Sequence, residues 1–152
     1  MKKIFLLVIV TFLMSKAFAQ KLNEKDIPIP VLSAFKHKYP HAIKISWELE
    51  KINEYEASFR NELIQTSANF NQYGNWIETE VEIIASSLPP LAQATLKNDF
   101  TGYKISEVNK IERPREGTVF EAEVKKNKDR FELLFNAEGK LISNTRLTKE
   151  KD

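Results

Sequence analysis

The feature that most constrains this 152-residue chain is that it repeats itself. Displaced by 61 positions, Pro28 meets Pro89, Val31 meets Ala92, Phe35 meets Leu96 and Tyr39 meets Phe100. Displaced by 65, Tyr55-Glu56-Ala57 meets Phe120-Glu121-Ala122, Phe59 meets Val124, and Phe70-Asn71 meets Phe135-Asn136. Gly74 then meets Gly139, and Trp76-Ile77 meets Leu141-Ile142. Two blocks agreeing in order and spacing define two copies of one unit. The change of displacement is a single four-residue insertion, assigned to the polar loop Arg113-Pro114-Arg115-Glu116.

Each copy opens with a helix. Val31, Phe35 and Tyr39 lie four apart and form one apolar stripe; Leu88, Ala92, Leu96 and Phe100 form the other. Asp26 and Ser87 are positioned as caps, with Pro28, Pro30, Pro89 and Pro90 in first turns, where a missing N–H costs nothing. Pro40 and Gly102 supply the stops. Both helices are short and depend on packing against a sheet.

Strands follow. Tyr55, Ala57 and Phe59 alternate with Glu56, Ser58 and Arg60, and Ile77, Thr79, Val81 and Ile83 alternate with Glu78, Glu80 and Glu82. Phe120, Ala122 and Val124, then Phe131, Leu133 and Phe135, repeat the pattern. Residues 71–75 and 136–140 are hairpin loops with the glycine that a positive φ requires, and 125–129 is a third turn. A first strand is expected from about Ile43 to Leu49, with Ile43, Ile45 and Trp47 facing the core. Its counterpart, Tyr103 to Ile111, breaks alternation and calls for a bulge. Each unit therefore reads α-β-β-β-β, an α+β class with helices on one sheet face and charge on the other. Pattern alone leaves open whether the eight strands join.

The N-terminus sets the expected compartment. Lys2 and Lys3 precede an apolar run, Ile4 to Met14, broken only by Thr11, and Ala17-Phe18-Ala19 offers a peptidase site. Such a run rises only about 16 Å as a helix, against a hydrocarbon core of about 30 Å. Residues 1–19 therefore read as a cleaved export signal ending at Ala19, the product being periplasmic or secreted without a membrane anchor. Of 23 basic and 21 acidic residues, that segment holds three lysines and no acid, so the remainder is close to neutral. A nucleic-acid partner, which needs a clustered basic excess, is not indicated. Cysteine is absent, so the core alone must hold the fold. The expected segments are 1–19 signal, 20–86 first unit, 87–147 second unit and 148–152 a charged tail.

Catalytic groups are poorly represented. There is no cysteine nucleophile and no Gly-x-Ser-x-Gly elbow, and Ser86 and Ser87 sit where a cap is wanted. His37 and His41 are separated by Pro40, which ends the helix, so they are read as surface residues; no metal and no cofactor is expected. Glu78, Glu80 and Glu82 line one strand face next to Glu54 and Glu56, and strand-outer acids are expected to be solvated. Tyr73 and Trp76 flank a glycine turn, and Trp76 shares the parity of Glu78 and Glu80, on the exposed face or buried by twist at its end.

Pro28 to Pro40 (Pro-x-x-Val-x-x-Ala-Phe-x-x-x-Tyr-Pro), Ile45-Ser46-Trp47-Glu48, Tyr55-Glu56-Ala57 and Phe70-Asn71 with Gly74 and Trp76 resemble the PepSY-like exported proteins, which are grouped with the β-lactamase-inhibitor proteins. Leu88-Pro89, Tyr103-Lys104-Ile105 and Phe135 to Lys140 look like a second copy, so the resemblance spans about residues 24–147. It implies tandem α-β4 units with helices on one side of a curved antiparallel sheet. The inhibitor relatives clasp another protein with the concave face. Those inhibitors carry disulfides and this chain has none, so inhibition itself is an analogy of fold only.

The leading expectation is a non-enzymatic module binding an envelope protein or peptide through the outer sheet face. The expected contact residues are Tyr73, Trp76, Glu56, Glu78, Glu80, Glu121 and Glu123. The alternatives are a carrier or sensor for a small ligand or cation, and a carboxylate-dependent hydrolase.

Overall fold

The computed structural model describes residues 20–147; the expected signal (1–19) and the charged tail (148–152) lie outside them. The chain runs β1 (Gln20–Leu22), a 3₁₀ turn (Glu24–Asp26), α1 (Ile29–Lys38), β2 (Ile43–Lys51), β3 (Glu54–Asn61), β4 (Ile64–Asn71) and β5 (Trp76–Glu82). A second 3₁₀ turn (Ala85–Ser87) leads to α2 (Pro90–Asp99), β6 (Lys104–Arg113), β7 (Gly117–Lys126), β8 (Asp129–Phe135) and β9 (Leu141–Arg146). The strands form one antiparallel sheet in sequence order, β1 to β9.

That topology settles how the copies join. Gln20 pairs with Leu49, and Val81 pairs with Lys110, which is the same pairing 61 positions later. β1, not anticipated from the sequence, is thus a short version of the end of β5. The last strand of the first unit occupies, for the second unit, the place β1 has in the first. The sheet is continuous because the repeats share that position.

Both helices lie on one sheet face. Val31 and Phe35 of α1 pack with Trp47, Ala57, Phe59, Ala68 and Phe70. Ala92 and Leu96 of α2 pack with Val108, Ala122, Val124, Leu133 and Phe135. The Phe35 ring lies 5.1 Å from Trp47 and 5.0 Å from Phe59, both edge-on, the arrangement that aromatic quadrupoles favour. Leu96, Val108 and Val124 stand in the corresponding places of the second unit, which is aliphatic where the first is aromatic. A groove of about 600 Å³ opens beside α2 between Leu96, Phe100, Tyr103, Ile105 and Val124.

Three local expectations are corrected. Neither Asp26 nor Ser87 caps a helix; each lies in a 3₁₀ turn, and the N-cap residues Pro28 and Pro89 make no side-chain cap bond. The prolines preset the first turn instead. Ile43 and Ile45 do not share the buried face of Trp47: Lys44 adopts φ +54° and the register slips between Ile43 and Ser46, leaving both isoleucines exposed. The bulge expected in β6 lies between Ile105 and Glu107, and β2 carries its equivalent. Finally, the insertion is less a loop than an extension. β6 and β7 remain paired out to Arg113 and Gly117, so the four extra residues lengthen the hairpin.

Each helix start is held against the far hairpin of its own unit. A Cβ on Gly74 (φ +80°) would lie 2.5 Å from the Pro30 carbonyl oxygen, and one on Gly139 (φ +85°) would lie 2.8 Å from the Ala92 nitrogen. Both glycines are therefore required twice, by backbone conformation and by close approach. Gly117 (φ +72°) has open space around it. Gly74→Ala is expected to cost about 3 kcal/mol and lower the thermal midpoint by roughly 10 °C, whereas Gly117→Ala costs about 1 kcal/mol, from conformation alone. Calorimetry of the two variants checks this, and equal losses would contradict the contact.

Candidate functional site

The face opposite the helices is the candidate. Cross-strand register places Glu48, Glu56, Asn69 and Glu78 in one row across β2 to β5. Ser46, Ser58, Ser67, Glu80, Ile111 and Val119 form the next row across β2 to β7. Asn109, Glu121 and Leu134 follow, and then Glu107, Glu123 and Glu132. Five glutamates expected at the site, Glu56, Glu78, Glu80, Glu121 and Glu123, thus share one face.

Trp76 and Tyr73 do not join them. The register slips between Asn69 and Phe70, so Trp76 pairs with Phe70 while Glu78 pairs with Asn69. This bulge reverses the parity read from the sequence. Trp76 packs on the first core cluster, donates from Nε1 to Thr79 Oγ1 (2.9 Å), and lies 3.6 Å beneath the Lys38 ammonium. The same Thr79 hydroxyl bonds Tyr39, whose own pKa is raised by burial. Tyr73 is 72% exposed at the β4–β5 turn, beside the start of α1 through Gly74.

The expectation of solvated acids is also overturned. Glu78 is 1% exposed, and Asn69, Asn109, Ile111 and Val119 are buried as well, although both helices lie on the other side. Glu80 and Glu121 are half-buried. Glu80 feels the charges of Glu78, Glu121, Glu56 and Glu50, which stand on four different strands. In a flat sheet β2 and β5 would be about 14 Å apart. Mutual influence and loss of water on a face without a helix mean that the sheet curls toward this side, as the accumulated twist of many strands produces.

The curvature sets the electrostatics. Burial, reinforced by Glu78 and Glu121, pushes Glu80 up to about 9. Glu121 rises to about 8 through burial and then Glu132 and Glu107, and Glu50 to about 7 through burial and then Glu56. Glu56 and Glu132 are raised mainly by burial. Arg113, brought in by the lengthened β6–β7 hairpin, donates from Nε to Glu78 Oε2 at 2.9 Å and from Nη1 to Glu116 at 3.0 Å. Glu123 pairs with Arg130 at 2.8 Å. Asn69 Nδ2 donates to Glu50. The buried atoms Glu78 Oε1 and Asn69 Oδ1, on directly paired residues, accept no hydrogen bond. Sequence reasoning missed Glu50, Asn69, Ile111 and Arg113; the shared parity of Glu48 and Glu50 was the available signal for the first.

Chemically, this face offers acceptors in excess of donors, with several carboxyls that retain protons near neutrality. Among the described residues, no group of three or more metal-ligating side chains has a geometry fit to hold an ion. His37 lies on α1 and His41 just beyond it, away from the glutamate rows.

The family model "Putative beta-lactamase-inhibitor-like, PepSY-like" matches residues 13–63 and again 53–143. The chain belongs to that family, as tandem repeats of one helix followed by four strands. Among solved structures it is similar to a BLIP-like protein from Bacteroides fragilis, at 26% identity and TM-score 0.71, over 83% of this chain and 90% of that one. A "putative periplasmic" protein from Bacteroides eggerthii matches at 21% identity and TM-score 0.73, over 80% and 90%. A DUF2874 family protein from Bacteroides ovatus matches at 22% and 0.72, over 79% and 87%. No curated protein matches.

A raised carboxyl pKa means that the folded chain holds a proton which the unfolded chain releases. Stability is then greatest near the unfolded carboxylate pKa of about 4.3 and falls as pH rises through 7, 8 and 9. The thermal midpoint should therefore be several degrees higher at pH 5 than at pH 9, and Glu80→Gln should raise the pH 9 value and flatten the profile. A midpoint independent of pH in both proteins would contradict the assignment.

Proposed function

We propose that this chain is an exported, non-enzymatic binding module that recognises a protein or peptide through the curved sheet face opposite its helices. One observation carries the reading. Both helices cover one side of a nine-stranded sheet, and the other side presents organised rows of polar and acidic groups that no described helix covers. Keeping carboxyls partly dehydrated costs stability, and such cost is tolerated where a site needs it. The β-lactamase-inhibitor-like family and the BLIP-like neighbour support recognition of a protein. The eggerthii neighbour, described as periplasmic, agrees with an export signal over residues 1–19. The contact set centres on Glu56, Glu78, Glu80, Glu121 and Glu123. Trp76, as part of the core beneath α1, is left out, and Tyr73 lies off the face.

The test is site-directed photocrosslinking in producing cells. A benzophenone side chain at Ser46, exposed in the row of Ser58 and Glu80, is expected to yield discrete protein adducts. One at Asn98, exposed on α2, should yield none. Adducts from Asn98 with none from Ser46 would move the binding surface to the helical side.

A further inference from the structure

Resting on that reading of the face, we infer that its occupant is a basic segment of a partner chain, which lays arginine or lysine side chains along the glutamate rows between β2 and β7. Three observations point to this chemistry. The first is the excess of acceptors: Glu50, Glu56, Glu78, Glu80 and Glu121 share the inner part of the face, against Arg113 paired with Glu78 and Lys51 beside Glu50 and Glu54. The second is independent of charge. Glu78 and Asn69 are each more than nine-tenths buried, stand opposite each other on β5 and β4, and leave Glu78 Oε1 and Asn69 Oδ1 without a donor. Two neighbouring acceptors on one face call for a group with several N–H donors, which a guanidinium or ammonium supplies. The third is shape. The acids extend over five strand spacings, on the order of 24 Å along the sheet. A strip of that length suits an extended peptide whose alternate side chains recur every ~7 Å, and not a point charge.

Arg113 illustrates the intended contact. Its guanidinium already sits on Glu78, delivered by the lengthened hairpin, and burial there is outweighed by Glu78 and Glu116 so that its own pKa is raised. A second cation arriving beside Glu80 and Glu121 would face Glu78 on β5, Glu56 on β3, Glu50 on β2, Glu107 and Arg113 on β6, and Glu132 on β8. Its approach favours the ionised carboxylates, so binding expels the protons that these groups hold. Affinity accordingly rises with pH between 6 and 9. A divalent ion fits less well, since it demands several converging ionised oxygens, and no such group occurs among the described residues.

The experiment maps amide NMR shifts of the purified protein with three probes at pH 7.5: a seven-residue peptide alternating Arg and Ser, its citrulline analogue, and calcium chloride alone. The arginine peptide is expected to move amides of β3, β5 and β7. Its affinity should rise at least tenfold from pH 6 to pH 9, fall with added salt, and drop at least tenfold in the Glu80→Gln, Glu121→Gln double variant. Glutamine mimics the protonated carboxyl, so that variant keeps the fold, which its unchanged spectrum outside the face verifies. Equal binding of the citrulline peptide at this face would overturn the basic partner while leaving the face a binding surface. Calcium moving the same amides where the arginine peptide does not would replace the partner with an ion. No shift from any probe, with Ser46 still crosslinking to protein in cells, would overturn the inference and leave the broader reading intact; absence of both would remove the two together.

Discussion

The structure depends on the close seating of each helix against its own four strands. Ala57 and Ala68, directly paired at the centre of the first half, and Ala122 in the second, leave room for a helix to approach the sheet. At equivalent positions of the two cores the first unit has Val31 on α1 and Ala68 on β4, and the second has Ala92 on α2 and Leu133 on β8. Volume removed on one side of the interface returns on the other, as dense packing requires. Gly74 and Gly139 then fix the helix starts against the distal hairpins. Because this seating uses only one side of the sheet, the opposite side is left to do something else.

What it does follows from twist. Nine antiparallel strands in sequence order accumulate a common rotation, and the resulting curl brings Glu80 on β5 under the influence of both Glu50 on β2 and Glu121 on β7. A row of glutamates that would be ordinary on a flat sheet becomes a place where charge is hard to sustain. The four-residue insertion acts on the same place. It extends β6 and β7 out to the pair Arg113–Gly117, and Arg113 reaches Glu78. One small change in hairpin length thus gives the second copy an ion pair to a strand of the first.

The repeat, the helix stripes and the strand alternation were legible in the chain because they follow from periods of 3.6 and 2 acting over many residues. The tandem α-β4 architecture follows from them. Single-residue irregularities were not legible. A bulge before Glu78 moved Trp76 to the helix side, and a left-handed Lys44 exposed Ile43 and Ile45; neither has a glycine to announce it. The β3–β4 turn is similarly silent, since Glu62 and Leu63 both take positive φ without the usual turn residues. The sheet face that the glutamates occupy was read correctly and their hydration was not. Parity tells which way a side chain points, but burial on that side depends on the curvature of the entire sheet.

The dehydrated face also alters how the molecule appears to its surroundings. Three carboxyls that titrate near 7, 8 and 9 keep much of their protons in neutral solution, so the folded chain carries less negative charge than a tally of its acids indicates. Its isoelectric point therefore belongs partly to the conformation. Unfolding the protein at constant pH would make it more anionic, and electrophoretic mobility would register the loss of curvature as surely as a spectroscopic probe does.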